Sequence, residues 1–434
     1  MADTTAEIEA EPSDRLFDPE LWPASPKAYT VIAEVTGQLL SYEKRAGLRR
    51  RKRKQDDYGT FHTVATVILC NAIHRYLTEP EGWVSVSLSK ERLGRRNRYQ
   101  PAAMSKILSD LIKRLAAPEM GFLEMQLGHL GYFSDPRLTT IKAGRRLIDL
   151  IDEQDLIDGR DFSLGDLEWR RKGEVIILKS SKQGHWDKGE LIDYQDDDTT
   201  NGYREELHRI NDWLAKAKLS FYGLLESGDK VDTKDRHLRR YFCNGSFEQG
   251  GRLFAGFWQQ LSKPQRSLGL RINGEKVVTL DFGQMAPRTL YGMAGVEQTQ
   301  EDAYLLPGLE GHRAGVKKVF NAILFADQPL NRLPQGTRAL IPRRLGMGDI
   351  LDLITKVHQP IQSYFFTGIG YQLQFRESEI LIDILLTMME RGLVGLPIHD
   401  AVVVPRSSAG VVKEIMLDTF RTHVGVDGFV GVED

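Results

Sequence analysis

Cysteine is almost missing from this chain: Cys70 and Cys243 are the only two in 434 residues. They lie far apart and outside any CxxC pair, which excludes a disulfide framework and a cysteine-based zinc site of the usual spacing. A reducing, cytoplasmic setting is therefore expected. No apolar run reaches the roughly 20 residues of a membrane span. The opening MADTTAEIEAEPSD is acidic and lacks the hydrophobic stretch of a secretory signal. Net charge is also absent: the formal value is −2, which argues neither for nor against a polyanionic partner. Common site signatures are missing too. GHRAG lacks the GK[ST] ending of a phosphate loop, and RLGMGDIL has two glycines but no third and no preceding strand. The histidines show no ligand spacing, and no Ser or Cys sits in a nucleophile elbow.

What is present is uneven along the chain. Residues 1–57 read as a mobile leader, acidic first and then basic, with RRRKRK at 49–54 as a phosphate-contacting arm or a solvated tail. Residues 58–150 carry a helix (FHTVATVILCNAIHRYL), a short extended piece with a small helix (WVSVSLSKERLG) and a longer helix (YQPAAMSKILSDLIKRL). The last has Met104, Ile107, Leu108, Leu111, Ile112 and Leu115 on one face, and Ser105, Lys106, Ser109, Lys113 and Arg114 on the other. Two strand-like pieces, GFLEMQLG and RLTTIKAG, follow around a turn at 131–136. This order resembles winged-helix replication-initiator and regulator domains, in which the second helix of the pair enters the major groove. The basic cluster RRNRY, with Arg95, Arg96 and Arg98, would then lie at that helix's entrance and contact phosphates. Residues 151–233 form a connecting, thumb-like region with a strand (EVIILKSS), an acidic link (DYQDDDTTNG) read as a solvated loop, and an amphipathic helix through Leu207, Ile210 and Leu214.

The chemistry falls in residues 234–434. An Asn273-Gly274 turn starts a strand that ends at Asp281 and runs into a helix-like stretch. In GLPIHDAVVVP, a His399-Asp400 pair separates two apolar, β-branched runs that read as adjoining strands. Each aspartate alone fits a helix cap or a turn. Together, LDFGQMAPRTLY and IHDAVVVP resemble the first palm motif and motif C of family A DNA polymerases. HRAGVKKVFNAILFAD is similar to the fingers helix of that family, with Arg313, Lys317, Asn321 and Phe325 in one stripe at i, i+4, i+8 and i+12. GGRLFAGFWQQL is similar to the Gly-Arg segment before the first palm motif, and LQFRESEILIDILLTMMERG to the Gln-led helix before motif C. The phrases run colinearly over 245–405, and they also resemble compact bacterial and mobile-element proteins built on this palm.

The resemblance implies an α+β chain: a winged-helix-like domain, then a palm with an antiparallel sheet and a helical fingers insertion. It implies Asp281 and Asp400 as catalytic metal ligands for Mg²⁺ or Mn²⁺. Two strand-end carboxylates brought together repel unless a cation lies between them, which suits that reading. Arg313, Lys317, Asn321, Phe325, Gln284 and Ala286 would bind the nucleoside triphosphate. Arg252, Gln374 and His399 would meet the nucleic acid, which is DNA as template or primer with RNA left open.

Three positions depart from the DNA-polymerase pattern. Ala286 stands where the family has a Glu that blocks the ribose 2′-hydroxyl, so ribonucleotides should be accepted, as in phage-type single-subunit RNA polymerases. Phe325 replaces a tyrosine, and Ala401 replaces an acidic residue after the motif C aspartate. The short thumb and the lack of a preceding exonuclease pattern imply low processivity and no proofreading. The expected activity is a compact nucleotidyltransferase, with primase-polymerase character. The alternative is a winged-helix replication initiator whose palm is a non-catalytic scaffold.

Overall fold

The computed structural model describes residues 14–94, 97–129, 137–171, 173–182, 187, 189–225 and 230–433. The expected turn at 131–136 and the side chains of Arg95 and Arg96 lie outside the described residues. The chain is mixed α and β and divides into two compact units, Met1–Glu174 with Phe221–Asp235, and Val175–Ser220 with Arg236–Asp434.

In the first unit, α1 (Pro26–Arg45) precedes α2 (Gln55–Thr78), β1 (Val84–Val86), α3 (Lys90–Leu93), α4 (Ile107–Leu115), β2 (Leu123–Gln126), β3 (Thr139–Ala143) and α5 (Arg145–Asp158). β3 pairs antiparallel with both β1 and β2, and Arg15–Leu16 adds a parallel strand on the other side of β1, so β1-β3-β2 is part of a four-stranded sheet. The centre is α2, whose residues from Val64 to Arg75 are all buried. A helix that is apolar on nearly every side has to be enclosed on every side. Part of that enclosure comes from residues expected to be a mobile leader. Instead α1 is ordered by its apolar stripe, with Ala28, Val31, Ile32, Val35 and Leu39 at 0–2% exposure in the same core as Phe61 and Ile68. Burial of the four larger side chains, worth about 2 kcal/mol each, opposes part of the entropy of ordering the helix.

The basic run also differs from a solvated tail at one residue. Arg53 turns inward, pairing with the buried Glu43 at 2.7 Å and lying 3.9 Å from the centroid of the Phe61 ring. α4 begins at Ile107, later than its sequence pattern suggests, because Met104 N–H bonds the Pro101 carbonyl and Ser105 N–H that of Ala103 in tight turns. Leu108, Leu111, Ile112 and Leu115 are buried as expected, whereas Met104 and Ile107 are half-buried. The polar face is thinner: Ser109 is buried, Arg114 is paired with Glu43, and Lys106 and Lys113 stay exposed.

In the second unit, α6 (Asp198–Lys216) is capped by Asp197, whose carboxylate accepts from Thr200 N–H at 2.7 Å in a capping box. The acidic link thus ends as a helix start instead of a loop. β4 (Arg239–Cys243) and β5 (Ser246–Phe254) form an antiparallel ribbon. The main sheet is antiparallel around β6 (Glu275–Phe282). β6 pairs with the strand Leu270–Ile272 through an Asn273-Gly274 turn with φ of 53° and 83°, the two-residue geometry that Asn-Gly favours. After α7 (Met285–Met293) and α8 (Arg313–Phe325), α9 (Gly370–Glu390) leads into β7 (Leu396–Ile398) and β8 (Ala401–Pro405). β8 lies between β7 and β6, and the chain closes with α10 (Ala409–Val424) and β9 (Val430–Glu433), which pairs with the far side of β6.

Candidate active site

Asp281 sits in β6 directly opposite Ala401 of β8, and Asp400 immediately precedes that partner in the β7–β8 turn. Phe282 N–H also bonds the Asp400 carbonyl at 3.3 Å. Register therefore places the two residues side by side at the end of the β6–β8 pair, and the Asp400 carboxylate acts on that of Asp281. Phe282 meets Phe420 of α10, with ring centroids 5.5 Å apart. Alternation along a strand turns Asp281 to the opposite face. The turn itself is strained: His399 has φ of 56°, a left-handed conformation that non-glycine residues seldom adopt. Its ring lies edge-on to Phe254 at 5.5 Å, and burial, then Arg252, holds its pKa below the usual imidazole range.

Both aspartates are half-buried. Burial, the neighbouring Asp400 and then Glu433 push the Asp281 carboxyl up to about 6. Lys263 and Lys317 act in the opposite direction, so the Lys317 ammonium on α8 lies within the field of this carboxylate. The cluster keeps more negative charge than its cations neutralise, and carboxylate oxygens are the donors that a hard divalent ion takes. The two residues fit such an ion. Among the described residues no group of three or more His, Cys, Asp or Glu side chains is placed to hold a metal, so the remaining coordination would fall to water and substrate oxygens.

α8 is amphipathic in the way its spacing implies. Val316, Val319, Phe320, Ile323 and Leu324 are buried, and Arg313, Lys317, Asn321 and Phe325 occupy the other side. Arg313 is paired with Asp302 at 2.5 Å. Phe325 is 38% exposed, and its ring lies edge-on to Tyr371 at 5.1 Å. Gly370 gives it room, since a Cβ there would come within 2.8 Å of the Phe325 ring.

The Gln284 side chain, expected at the nucleotide, is bonded within the protein. The residue takes a left-handed conformation (φ 59°) before α7, and its side chain meets the loop that follows. Its amide N–H bonds the Glu301 carbonyl at 2.9 Å, and its oxygen accepts from Ala303 N–H at 2.6 Å and from Gln298 at 2.9 Å. Gln284 thereby fixes residues 298–304 over the start of α7, where Ala286 packs against the apolar cluster that includes Tyr304.

Arg252 is aimed by a bulge. The β4–β5 register shifts on either side of Gly250, and Gly250 and Gly251 have φ of 80° and 77°. Such a bulge redirects the next side chain. Its guanidinium forms a two-pronged pair with Glu377 of α9, at 2.9 and 3.1 Å. Ser378 donates to the Gly251 carbonyl, and Glu379 pairs with the buried Arg240 at 2.5 Å. Three consecutive α9 residues thus clamp this helix to the ribbon. Gln374, half-buried, lies one turn before Glu377.

Glu377 was not visible as a site residue in the motifs. Burial drives its carboxyl up to about 7; Arg252 opposes this, and Asp400 and Asp281 add to it. A signal was available, because Glu377 falls between Leu373 and Ile380/Leu381 on the apolar face of the helix, where an acid needs a reason. Glu433, held by Lys263 at 2.8 Å, and Tyr304 were missed as well. In the first unit, Arg98 is paired with Glu174 at 3.2 Å.

No family model and no curated protein matches the sequence. Among solved structures the chain is similar to the POL domain of Pol1 from M. smegmatis in complex with DNA primer-template and dNTP, at 11% identity and a TM-score of 0.31. The match covers 66% of this chain and 63% of that one, so the chain spans less than two thirds of its length. The functional reading therefore rests on the site's own geometry.

Proposed function

We propose that the chain is a metal-dependent nucleotidyltransferase that adds nucleotides to a nucleic-acid 3′-hydroxyl, on a palm and fingers like those of family A polymerases. The observation that carries this is the placement of Asp281 opposite Ala401, next to Asp400, with Asp400 and Lys317 both acting on the Asp281 carboxylate. The two carboxylates would hold Mg²⁺ or Mn²⁺, and a bound ion of this kind supplies Lewis acidity for the attacking hydroxyl and the departing pyrophosphate. Lys317 and Arg313 grip the triphosphate as its charge redistributes, with Arg313 exchanging Asp302 for phosphate. Phe325, exposed two turns along from Lys317, offers a face for the base. Arg252 approaches the nucleic acid beside His399, positioned by Glu377. In the first unit, the helix–strand–helix–helix–hairpin order and the β1-β3-β2 pairing support a winged-helix role in holding DNA.

The test is incorporation of labelled dNTPs and rNTPs with Mg²⁺ or Mn²⁺ on primer–template, on single strands and without nucleic acid. Product that disappears in Asp281→Ala and in Asp400→Ala is expected. DNA binding with no product under any condition would favour the initiator reading, with the second unit as a scaffold.

A further inference from the structure

The basic run at 49–54 takes no part in the site above, and its middle finds no counter-charge in the fold. Arg49 is paired with Asp57 at 4.0 Å and Arg53 with Glu43 at 2.7 Å. Arg50, Arg51 and Lys52 are exposed and form no ion pair among the described residues. In a solvated tail such charges would spread apart. Here both ends of the run are fixed. Leu48 N–H and Arg49 N–H bond the Glu43 carbonyl at 3.0 and 3.3 Å, and the Arg53 guanidinium lies on the Phe61 ring. The three cations are thereby held in a short arch between α1 and α2, where they repel one another until an anion joins them.

The arch borders a groove of about 600 Å³ within the first unit. Arg50, Arg51 and Lys52 line it with Lys44, and Leu40 and Tyr58 give it an apolar side. Tyr58 is 42% exposed. Glu43, the acid among the lining residues, is buried and neutralised by Arg53 and Arg114. Cations beside an exposed aromatic ring match a ligand in which phosphates alternate with flat bases. A base can stack on a side chain only when it is free of the duplex. An anionic membrane offers charge in a plane and no ring for Tyr58. We propose that this groove binds single-stranded nucleic acid, with Arg50, Arg51 and Lys52 on its phosphates and the Tyr58 ring against a base. No residue of α4 lines the groove, so the site is separate from the helix that a winged-helix domain lays in the major groove. It is also independent of nucleotidyl transfer by the second unit.

The experiment is fluorescence anisotropy of the full chain, without metal or nucleotide, against labelled oligothymidylate and a duplex of equal length over a range of salt. The triple variant Arg50→Ala/Arg51→Ala/Lys52→Ala, altered only at exposed positions, should melt like wild type. It should bind the single strand about tenfold or more weakly, with a salt dependence shallower by about two counterions. Tyr58→Ala should weaken binding about tenfold and leave the salt dependence unchanged. Lys106→Ala/Lys113→Ala, at α4, should bind the single strand like wild type. These losses support the inference whether or not the chain incorporates nucleotides. Equal single-strand affinity in wild type and the triple variant, or no single-strand binding by wild type, overturns it. So does a duplex bound as tightly as the single strand, or a Tyr58→Ala without effect. If the triple variant keeps oligonucleotide binding and instead loses binding to phosphatidylserine vesicles, the groove is a membrane site and the inference fails.

Discussion

The two units handle buried charge in opposite ways. In the first, acids and bases meet in closed networks. Glu43 lies between Arg53 and Arg114, Arg171 pairs with Asp18, Glu20 and Asp235, and His74 faces Asp232 at 3.1 Å. In the second, Asp281 and Asp400 lie side by side at a strand end, neither forms an ion pair among the described residues, and burial and mutual repulsion push Asp281 up to about 6. A closed network holds a fold together, whereas a deficit of positive charge at a strand end is a place prepared for something to bind. Arg240 with Glu379 shows that the second unit can also close its charges, so the open pair is not a general property of that half.

The sharpest way to break this contrast is to remove a member from each side. Asp400→Ala should lower incorporation by about 10³-fold or more while leaving the melting temperature close to wild type. Asp281→Asn in metal-free buffer should raise it by about 2 °C, because a repulsion is relieved. Glu43→Ala should behave in reverse: it strands two arginines, costs about 3 kcal/mol in denaturant unfolding, and alters chemistry only through lost fold. A stable Glu43→Ala or a strongly destabilised Asp400→Ala would erase the distinction.

Lys317→Ala should weaken nucleotide binding by about tenfold to a hundredfold, read as a raised KM with a smaller change in kcat. A smaller effect concerns pH. His358 is fully buried in the second unit; Tyr291 lies 3.0 Å from Nδ1 and the Ala303 carbonyl 2.8 Å from Nε2, an arrangement the neutral ring satisfies. Burial holds its pKa below the usual value, so the unfolded chain takes up that proton first. The stabilisation is complete above about pH 6.5 and is lost as pH falls below it, at up to about 1.4 kcal/mol per pH unit. Unfolding measured between pH 7.5 and 5 should show a shallower slope in His358→Gln than in wild type. The smallest expected effect is Gly370→Ala, which crowds the Phe325 ring and should cost less than tenfold in nucleotide use, with little change in stability.

Much of the site could be read from the sequence because register and helical spacing are local properties. The β-branched runs around His399-Asp400, the Asn-Gly turn before β6 and the i, i+4 stripe of α8 each determine their own geometry. Glu377 was harder to read, because its meaning depends on a bulge more than a hundred residues earlier in the chain. The bonds from Gln284 to a later loop were equally hard to read, because a motif names residue types and does not show what they meet in the fold. The leader was misread for a compositional reason. The charge at both its ends hid the stripe from Ala28 to Leu39, which becomes legible once a partner for α2 is sought.

The most direct test of the central claim is a titration of the purified chain with Mn²⁺, followed by electron paramagnetic resonance with and without a nucleoside triphosphate. The account predicts one or two bound ions per chain, tighter with nucleotide, and loss of that binding in Asp281→Asn and in Asp400→Asn while the fold persists. Equal Mn²⁺ binding by wild type and both variants would contradict it.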